Sequence, residues 1–132
     1  MTESNGNSQT TSPHAIIVED DEALALIFSH ALSSAGFSIE VIENGRVALN
    51  RLMANAPDLL LLDLNLPEVA GDEIIEAIYQ TPAFANTRIV LATANARLAH
   101  HIRDKVDLVL NKPIRFSMLK RLASRFNPML PF

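Results

Sequence analysis

Short apolar runs alternate with segments of helical periodicity between residues 15 and 126. In four of the five helical segments the apolar residues recur three or four positions apart, as they do on the buried face of an amphipathic helix, while the segment at residues 96–104 is short and rather polar. Strands are predicted at residues 15–18, 37–42, 58–63, 87–92 and 107–111, and helices at residues 22–35, 45–55, 72–80, 96–104 and from beyond Pro113 to Phe126. Five strand–helix units in succession predict an open parallel sheet with helices on both faces.

The third predicted strand reads "DLLLLD" over residues 58–63, so its side chains are apolar on both faces. A continuous apolar run of this kind is typical of a central parallel strand that helices cover on both sides. Asn44 is a suitable N-cap for the second helix, and Gly36 stands where the first helix should end. These features predict one α/β domain over residues 14–127.

Composition narrows the function more than it narrows the fold. The chain has 132 residues, a net charge of −4 and no cysteine, so disulfides, thiolate catalysis and cysteine zinc sites are excluded. An acidic chain lacks the basic footprint of nucleic-acid binding. Residues 1–13 are polar and are expected to form a flexible tail, while residues 128–132 form an apolar tail. With neither a membrane-spanning run nor a secretory signal, a cytoplasmic location is expected.

Polar or charged residues follow four of the five predicted strands. In open parallel sheets, ligands bind beyond the carboxyl ends of the strands, so these side chains should surround one crevice. Because the third strand is central, the aspartate that follows it should lie in the middle. The set is Glu19, Asp20 and Asp21 after the first strand, Asp63 after the third, Thr93 after the fourth and Lys112 after the fifth.

The chemistry available to this set is phosphoryl transfer assisted by a hard metal ion. Crowded carboxylates repel one another unless a cation lies between them, and oxygen ligands suit Mg²⁺ or Mn²⁺. A carboxylate can also attack phosphorus to form an aspartyl-phosphate, and an ammonium group and a hydroxyl can then stabilise the phosphoryl oxygens. Singly, each residue has an ordinary structural explanation, such as the capping of a helix or turn. Their coincidence at one edge of the sheet favours the functional interpretation.

Four motifs in order give the chain a resemblance to the receiver domain of bacterial two-component response regulators. They read "IIVEDDEAL", "LLLLDLNLPEVAG", "VLATA" and "NKPI", and the likeness extends from residue 15 to about residue 126. The resemblance implies a flavodoxin-like (βα)5 fold with strand order 2-1-3-4-5. It also implies a Mg²⁺-dependent phosphoacceptor, with Mn²⁺ as a substitute ion.

The resemblance assigns a role to each residue of the set. Asp63 would be the phosphorylated residue, Asp20 a direct metal ligand, and Glu19 a ligand nearby or through water. Asn65 would offer its backbone carbonyl to the metal. Thr93 and Lys112 would contact the phosphoryl group, and the bond before Pro113 would be cis.

The chain departs from the family at the aromatic position of the conformational switch. A Tyr or Phe usually lies three residues before the lysine, but Val109 stands there in this sequence. The region between the threonine and lysine motifs is also short, so the fourth helix is predicted to be shortened. Arg97, Arg103 and Lys105 make that region basic, which indicates either a solvated face or a partner contact.

The leading hypothesis is a single-domain response regulator that accepts a phosphoryl group from a histidine kinase or a histidine phosphotransfer protein. It would signal by binding a downstream protein, with a homodimer as an open alternative, and without contacting nucleic acid or membrane. It would not be an enzyme beyond self-phosphorylation and autodephosphorylation.

Two other functions compete with this hypothesis. One is a phosphorylation-independent interaction module with a receiver fold, which Val109 favours. The other is a phosphohydrolase of the haloacid dehalogenase type. In that superfamily the nucleophile strand comes first and the general acid lies two residues later. Here the acidic pair comes first, and position 65 is Asn.

Overall fold

The computed structural model describes residues 12–130 and contains one five-stranded sheet. The strands are β1 (His14–Val18), β2 (Ser38–Ile42), β3 (Leu59–Asp63), β4 (Arg88–Thr93) and β5 (Leu108–Asn111). The α-helices are α1 (Glu22–Ser34), α2 (Gly45–Ala54), α3 (Gly71–Tyr79) and α4 (Phe116–Phe126). Two 3-10 helices cover Pro82–Phe84 and Ala96–Lys105.

The strand order is β2-β1-β3-β4-β5, and every neighbouring pair is parallel. The predicted flavodoxin-like arrangement is therefore confirmed. Strand β3 lies at the centre, where its register brings Leu62 opposite Val18 on one side and Leu91 on the other. The carboxyl end of β3 consequently opens into the middle of the sheet edge.

The leucines of β3 divide between two cores. Successive side chains of a strand point to opposite faces of the sheet. Leu60 and Leu62 pack with the inward residues of α2, α3 and the second 3-10 helix. Leu59 and Leu61 pack with those of α1 and α4. All four leucines are buried, so this run explains both the central place of β3 and the helical layer on each face.

The predicted short helix at residues 96–104 is present, but it is wound as a 3-10 helix over Ala96–Lys105. A 3-10 helix has three residues per turn, so side chains three positions apart lie in one row. Ala99 and Ile102 are buried in such a row against the core. The three-residue spacing of these buried side chains thus fits the 3.0 residues per turn of a 3-10 helix, in place of the 3.6 residues per turn of an α-helix.

The two ends of the domain are tied to neighbouring elements. Of the predicted tail at residues 1–13, only Ser12 and Pro13 belong to the described part of the chain. Pro13 is buried, and its carbonyl accepts a hydrogen bond from the Ser38 amide at 2.8 Å. At the other end, the buried Asn127 Nδ2 donates to the Ala35 carbonyl at 2.9 Å.

The predicted C-terminal tail begins directly after Asn127. Residues 128–130 are exposed, and the last two residues of that segment lie outside the described range. Within residues 12–130, none of the helices has the length and apolar character needed to cross a membrane.

Candidate functional site

The residues predicted at the strand ends converge on the carboxyl edge of the sheet. Asp63 is the last residue of β3, where the predicted strand also ends, and it is paired in register with Ala92. Thr93 pairs with Asn111 and ends β4, one residue beyond the predicted strand. Thr93 therefore ends its strand and does not follow it.

Three carboxylates form a tight cluster at this edge. Glu19, Asp20 and Asp63 each place one oxygen within 4.8 Å of the others. Glu19 is 2% exposed and Asp63 is 6% exposed, while Asp20 is exposed to solvent. Two partly desolvated negative charges beside a third one need a positive charge nearby.

Lys112 supplies positive charge from the end of β5. Its Nζ lies 3.0 Å from Glu19 Oε1 and 3.6 Å from Asp63 Oδ1. Burial, the largest influence, raises the pKa of Glu19, and the charge of Asp63 raises it further against the opposing hydrogen bond from Lys112. For Lys112, burial lowers the pKa, but the hydrogen bond to Glu19 and the two carboxylate charges outweigh it. The pKa of Lys112 is therefore raised, and Lys112 is protonated at neutral pH.

The two oxygens of the Asp63 carboxylate have different surroundings. Oδ1 accepts a hydrogen bond from the Asn65 amide at 3.2 Å and faces Lys112. Among residues 12–130, no donor lies within hydrogen-bond distance of Oδ2. One oxygen is thus held in place while the other is left to react or to bind a cation. The predicted use of the Asn65 carbonyl as a metal ligand stays a prediction.

Asp21, the third acidic residue after β1, has a structural role. It is the N-cap of α1, and its Oδ1 accepts a hydrogen bond from the Leu24 amide at 3.0 Å. Its own amide donates to Glu19 Oε2 at 3.2 Å. The start of α1 therefore holds the second oxygen of Glu19 while Lys112 holds the first.

Thr93 is buried at the same edge, but its hydroxyl contacts the following loop. Thr93 Oγ1 accepts a hydrogen bond from the Asn95 amide at 3.2 Å, and Asn111 Oδ1 accepts one from the Ala96 amide at 2.9 Å. Sequence reasoning singled out neither asparagine. Their signal is the position of an Asn at or just after a strand end, where its side chain can organise a turn.

The loop between β3 and α3 is fastened to the start of α2. The Gly45 amide donates to the Pro67 carbonyl at 3.1 Å, and Asn44 Nδ2 donates to Glu68 Oε2 at 2.8 Å. Asn44 also caps α2, as predicted, by accepting from the Arg46 amide. Glu68 has a φ of 69°, a left-handed conformation that a non-glycine residue rarely adopts. These contacts position the loop that carries Asn65.

Two residues near the end of β5 complete the region. The Lys112–Pro113 peptide bond is cis. Val109, at the position where the resemblance leads one to expect an aromatic ring, is half-buried and packs against the core on the α2 and α3 side of the sheet.

The family model for the response regulator receiver domain matches residues 15–124. The chain belongs to the response regulator receiver family. This receiver is 35% identical over 123 residues to the phosphate regulon transcriptional regulatory protein PhoB of Rhizobium meliloti, covering 88% of this chain and 54% of the relative. It is 31% identical over 117 residues to the probable methanogenesis regulatory protein FilR2 of Methanothrix harundinacea, covering 80% and 76%.

Solved structures agree with this family. A CheY-like response regulator receiver domain from Methylobacillus flagellatus has a TM-score of 0.76 at 26% identity, covering 87% of this chain and 98% of that one. This receiver spans about half the length of several curated relatives that it matches.

The donor set of the receiver fits a small hard cation. The three clustered residues offer only oxygen atoms, and a divalent ion with oxygen ligands, Mg²⁺ or Mn²⁺, suits such a set. Lys112 neutralises part of the negative charge from the inner side, and the exposed Asp20 lies on the solvent side. A cation can therefore reach the cluster without displacing the lysine.

Replacing Asp20 with Asn is expected to raise the free energy of unfolding of the metal-free receiver by about 1 kcal/mol, since one of three mutually repelling charges is removed. Urea denaturation in EDTA measures this effect. In Mg²⁺ the order should reverse, because the wild type gains more from the ion. Asp21→Asn is the matched control, as Asn caps a helix about as well as Asp. A lower stability of D20N in EDTA would contradict the repulsion argument.

Proposed function

We propose that this receiver accepts a phosphoryl group on Asp63 in a reaction that requires Mg²⁺ or Mn²⁺, and that it signals by binding a partner protein. One observation carries the proposal. The Asp63 carboxylate is buried, and one oxygen is held by Lys112 and the Asn65 amide, while the other lacks a donor within residues 12–130. A carboxylate presented in this way suits nucleophilic attack on phosphorus.

In the proposed reaction, Asp63 Oδ2 forms a bond to phosphorus while the bond between phosphorus and the donor's leaving atom breaks. With a phosphohistidine donor whose other ring nitrogen carries a proton, the leaving atom is the imidazole nitrogen that was bonded to phosphorus. The histidine then leaves as neutral imidazole and keeps that proton. Lys112 Nζ lies 3.6 Å from Asp63 Oδ1, so its charge is already in place for the phosphoryl oxygens. Charge that is positioned in advance stabilises the transition state without reorganisation.

Glu19, Asp20 and Asp63, with the backbone carbonyl of Asn65, would hold the metal ion. When bound, the ion supplies Lewis-acid stabilisation of the negative charge on the phosphoryl oxygens. Asp20 is exposed, so the ion would bind from the solvent side, and the buried Glu19 is held by Lys112 and the Asp21 amide. Together these residues would fix the position of the ion beside Asp63.

The added charge on Asp63 is proposed to act on the loop after β4. The Thr93 hydroxyl would leave the Asn95 amide and turn toward the phosphoryl group, which would release part of the turn before the second 3-10 helix. A local electrostatic change would then become a change of surface shape. Val109 replaces the aromatic ring of the family, so the change would be transmitted mainly through this loop.

The donor is proposed to be a histidine kinase or a histidine phosphotransfer protein, and the output to be binding of a downstream protein, in the cytoplasm. The receiver would turn over only its own phosphoaspartate and would not act on a separate substrate. Contacts with nucleic acid through residues 12–130 are not expected, since the chain carries a net charge of −4. Pairing with a second copy stays an alternative mode of output.

Val109 supports one second candidate, a receiver that binds its partner without phosphorylation. A half-buried valine fills its site without a ring that could rotate between two positions. Such a module would keep the carboxylate cluster as a cation site.

The test of the proposed function is to incubate the receiver with Mg²⁺ and acetyl phosphate and to record the intact mass. Wild type should gain one phosphoryl group, and it should not do so in EDTA. Asp63→Asn should gain none, whereas Asp58→Asn, a matched change just before the opposite end of the same strand, should gain one. A folded wild type that gains no mass with ample Mg²⁺ would overturn the proposal in favour of the phosphorylation-independent module.

A further inference from the structure

The second 3-10 helix, Ala96–Lys105, sorts its side chains into three rows. Side chains three apart are eclipsed in a 3-10 helix. The first row contains the buried Ala99 and Ile102. The second row consists of Arg97, His100 and Arg103, all exposed, and is here named the cationic row. The 3-10 winding is what aligns it, since an α-helix would spread these three positions around its axis by about 60° per step.

Two acidic residues of α3 form ion pairs with residues outside the cationic row. Asp72 Oδ2 on α3 lies 3.3 Å from His101 Nε2, and Glu76 Oε2 lies 2.8 Å from Lys105 Nζ. Within residues 12–130, neither arginine of the cationic row forms an ion pair. The row instead borders a surface groove of about 410 Å³ lined by Ala96 and the three row residues.

The spacing of the cationic row defines the partner that it fits. With a rise of about 2.0 Å per residue, Arg97 and Arg103 are about 12 Å apart along the axis, with His100 midway. An α-helix rises about 1.5 Å per residue, so its positions i, i+4 and i+8 are also spaced by about 6 and 12 Å. The line through these positions is inclined by about 26° to the axis of the α-helix, so the partner helix and the 3-10 helix would cross at a shallow angle.

We infer that the cationic row is a docking surface for an acidic α-helix of a partner protein, with carboxylates at every fourth position. The outer carboxylates pair with Arg97 and Arg103, and the middle one accepts a hydrogen bond from His100. The exposed Leu98, 53% accessible, adds an apolar contact at the border. The surface is formed without phosphorylation of Asp63, so the inference goes beyond the proposed function and is tested separately from it.

A protein partner fits this surface better than a nucleic acid does. Two arginines on a chain of net charge −4 make a short positive strip, and phosphate backbones are held by broader basic footprints. Asp104 lies exposed beside the row, where it would repel a continuous phosphate chain. A helix with three carboxylates on one stripe meets only the positive strip.

The experiment uses the unphosphorylated full chain and a helical peptide that carries Glu at three successive fourth positions. Amide chemical shifts in ¹⁵N-labelled protein at low salt report where the peptide binds. Shifts should saturate and centre on residues 96–104. In the double variant R97Q/R103Q the dissociation constant should rise about tenfold, as expected for the loss of two exposed ion pairs. The control K120Q/R121Q removes the same charge from α4 and should leave the affinity unchanged.

Three outcomes would overturn the inference. The peptide could fail to saturate any set of shifts, or it could bind R97Q/R103Q as tightly as wild type. A short DNA duplex could also shift residues 96–104 more strongly than the peptide does, which would assign the surface to nucleic acid. A peptide of the same composition with its Glu residues scrambled should bind more weakly, because only the four-residue spacing matches the row.

Discussion

Replacing Lys112 with Met is expected to lower the free energy of unfolding of the metal-free receiver by about 3 kcal/mol, the usual order for breaking a buried ion pair from one side. Lys112 Nζ contacts Glu19 at 3.0 Å and Asp63 at 3.6 Å, and both carboxylates are buried. Met keeps the length and packing of the side chain, so the loss reports charge and not volume. Urea denaturation in EDTA at neutral pH measures it.

Mg²⁺ should recover much of this loss, because a bound cation compensates the same carboxylates. The shift of the urea midpoint between EDTA and Mg²⁺ should therefore be larger for K112M than for wild type. Lys120→Met is the matched control on exposed α4, and it should change neither midpoint by a comparable amount. If Mg²⁺ stabilised both proteins equally, Lys112 and the ion would not be acting on one shared set of charges.

The loss of unfolding free energy caused by K112M should also be smaller at acidic pH. The pKa of Glu19 is raised in the folded protein, first by burial. A carboxyl group whose folded pKa exceeds its unfolded value costs stability above that pKa, and the cost disappears as the pH falls through it. Without Lys112 the pKa of Glu19 rises further, so the difference between K112M and wild type should narrow at a higher pH than the ordinary titration of Glu. Unfolding curves from neutral pH down to about pH 5, just above the ordinary titration range of Glu, provide the check.

The sheet and most of the carboxylate cluster could be predicted from sequence for a common physical reason. A central parallel strand must be apolar on both faces, so "LLLL" marks β3 directly. Ligands bind beyond the carboxyl ends of the strands in such sheets, and this rule led to Glu19, Asp63 and Lys112. In the structure Lys112 Nζ lies 3.0 Å from Glu19 and 3.6 Å from Asp63, and the two carboxylates place oxygens within 4.8 Å of each other. Local pattern and tertiary position agree here.

Features that depend on contacts between distant segments could not be predicted in this way. Strand β4 extends through Thr93, where it pairs with Asn111 of β5, and the sequence of β4 alone does not show this. The winding of Ala96–Lys105 depends on a difference of about 0.6 residue per turn. Ala99 and Ile102 are buried in this winding, but a spacing of three residues also fits one face of an α-helix, so the pattern does not distinguish the two. The same winding aligns Arg97 with Arg103, so the cationic row was visible only as a basic region.

The close approach of α2 to the β3–α3 loop also depends on contacts between distant segments. It should reverse the usual effect of a Gly→Ala substitution on the free energy of unfolding. A Cβ added at Gly45 would overlap the Val69 carbonyl oxygen and would lie 2.8 Å from the Val69 carbonyl carbon. Both atoms belong to the backbone, so no side-chain rotation can relieve the contact. The Gly45 amide is also bonded to the Pro67 carbonyl at 3.1 Å, which keeps the helix start and the loop together.

Gly45→Ala is therefore expected to destabilise the receiver by about 3 kcal/mol, as overpacking against fixed backbone does. In an ordinary helix, Gly→Ala stabilises by roughly 0.5–1 kcal/mol. Asn50→Ala, on the exposed side of α2, is the control and should change stability by about 0.5 kcal/mol or less. Thermal and urea unfolding both measure the difference, and a neutral or stabilising G45A would show that the loop can move away at little cost.

A loop displaced by the added methyl group of G45A should also change the site chemistry. The segment that contains Pro67 and Val69 continues back to Asn65, whose amide fixes one oxygen of Asp63. In the proposed function, both Mg²⁺ binding and phosphorylation use that oxygen and the Asn65 carbonyl. Where G45A remains folded at low temperature, its affinity for Mg²⁺ and its rate of phosphorylation by acetyl phosphate should therefore fall together. A loss of stability with an unchanged Mg²⁺ affinity would mean that α2 supports the fold but does not position the site.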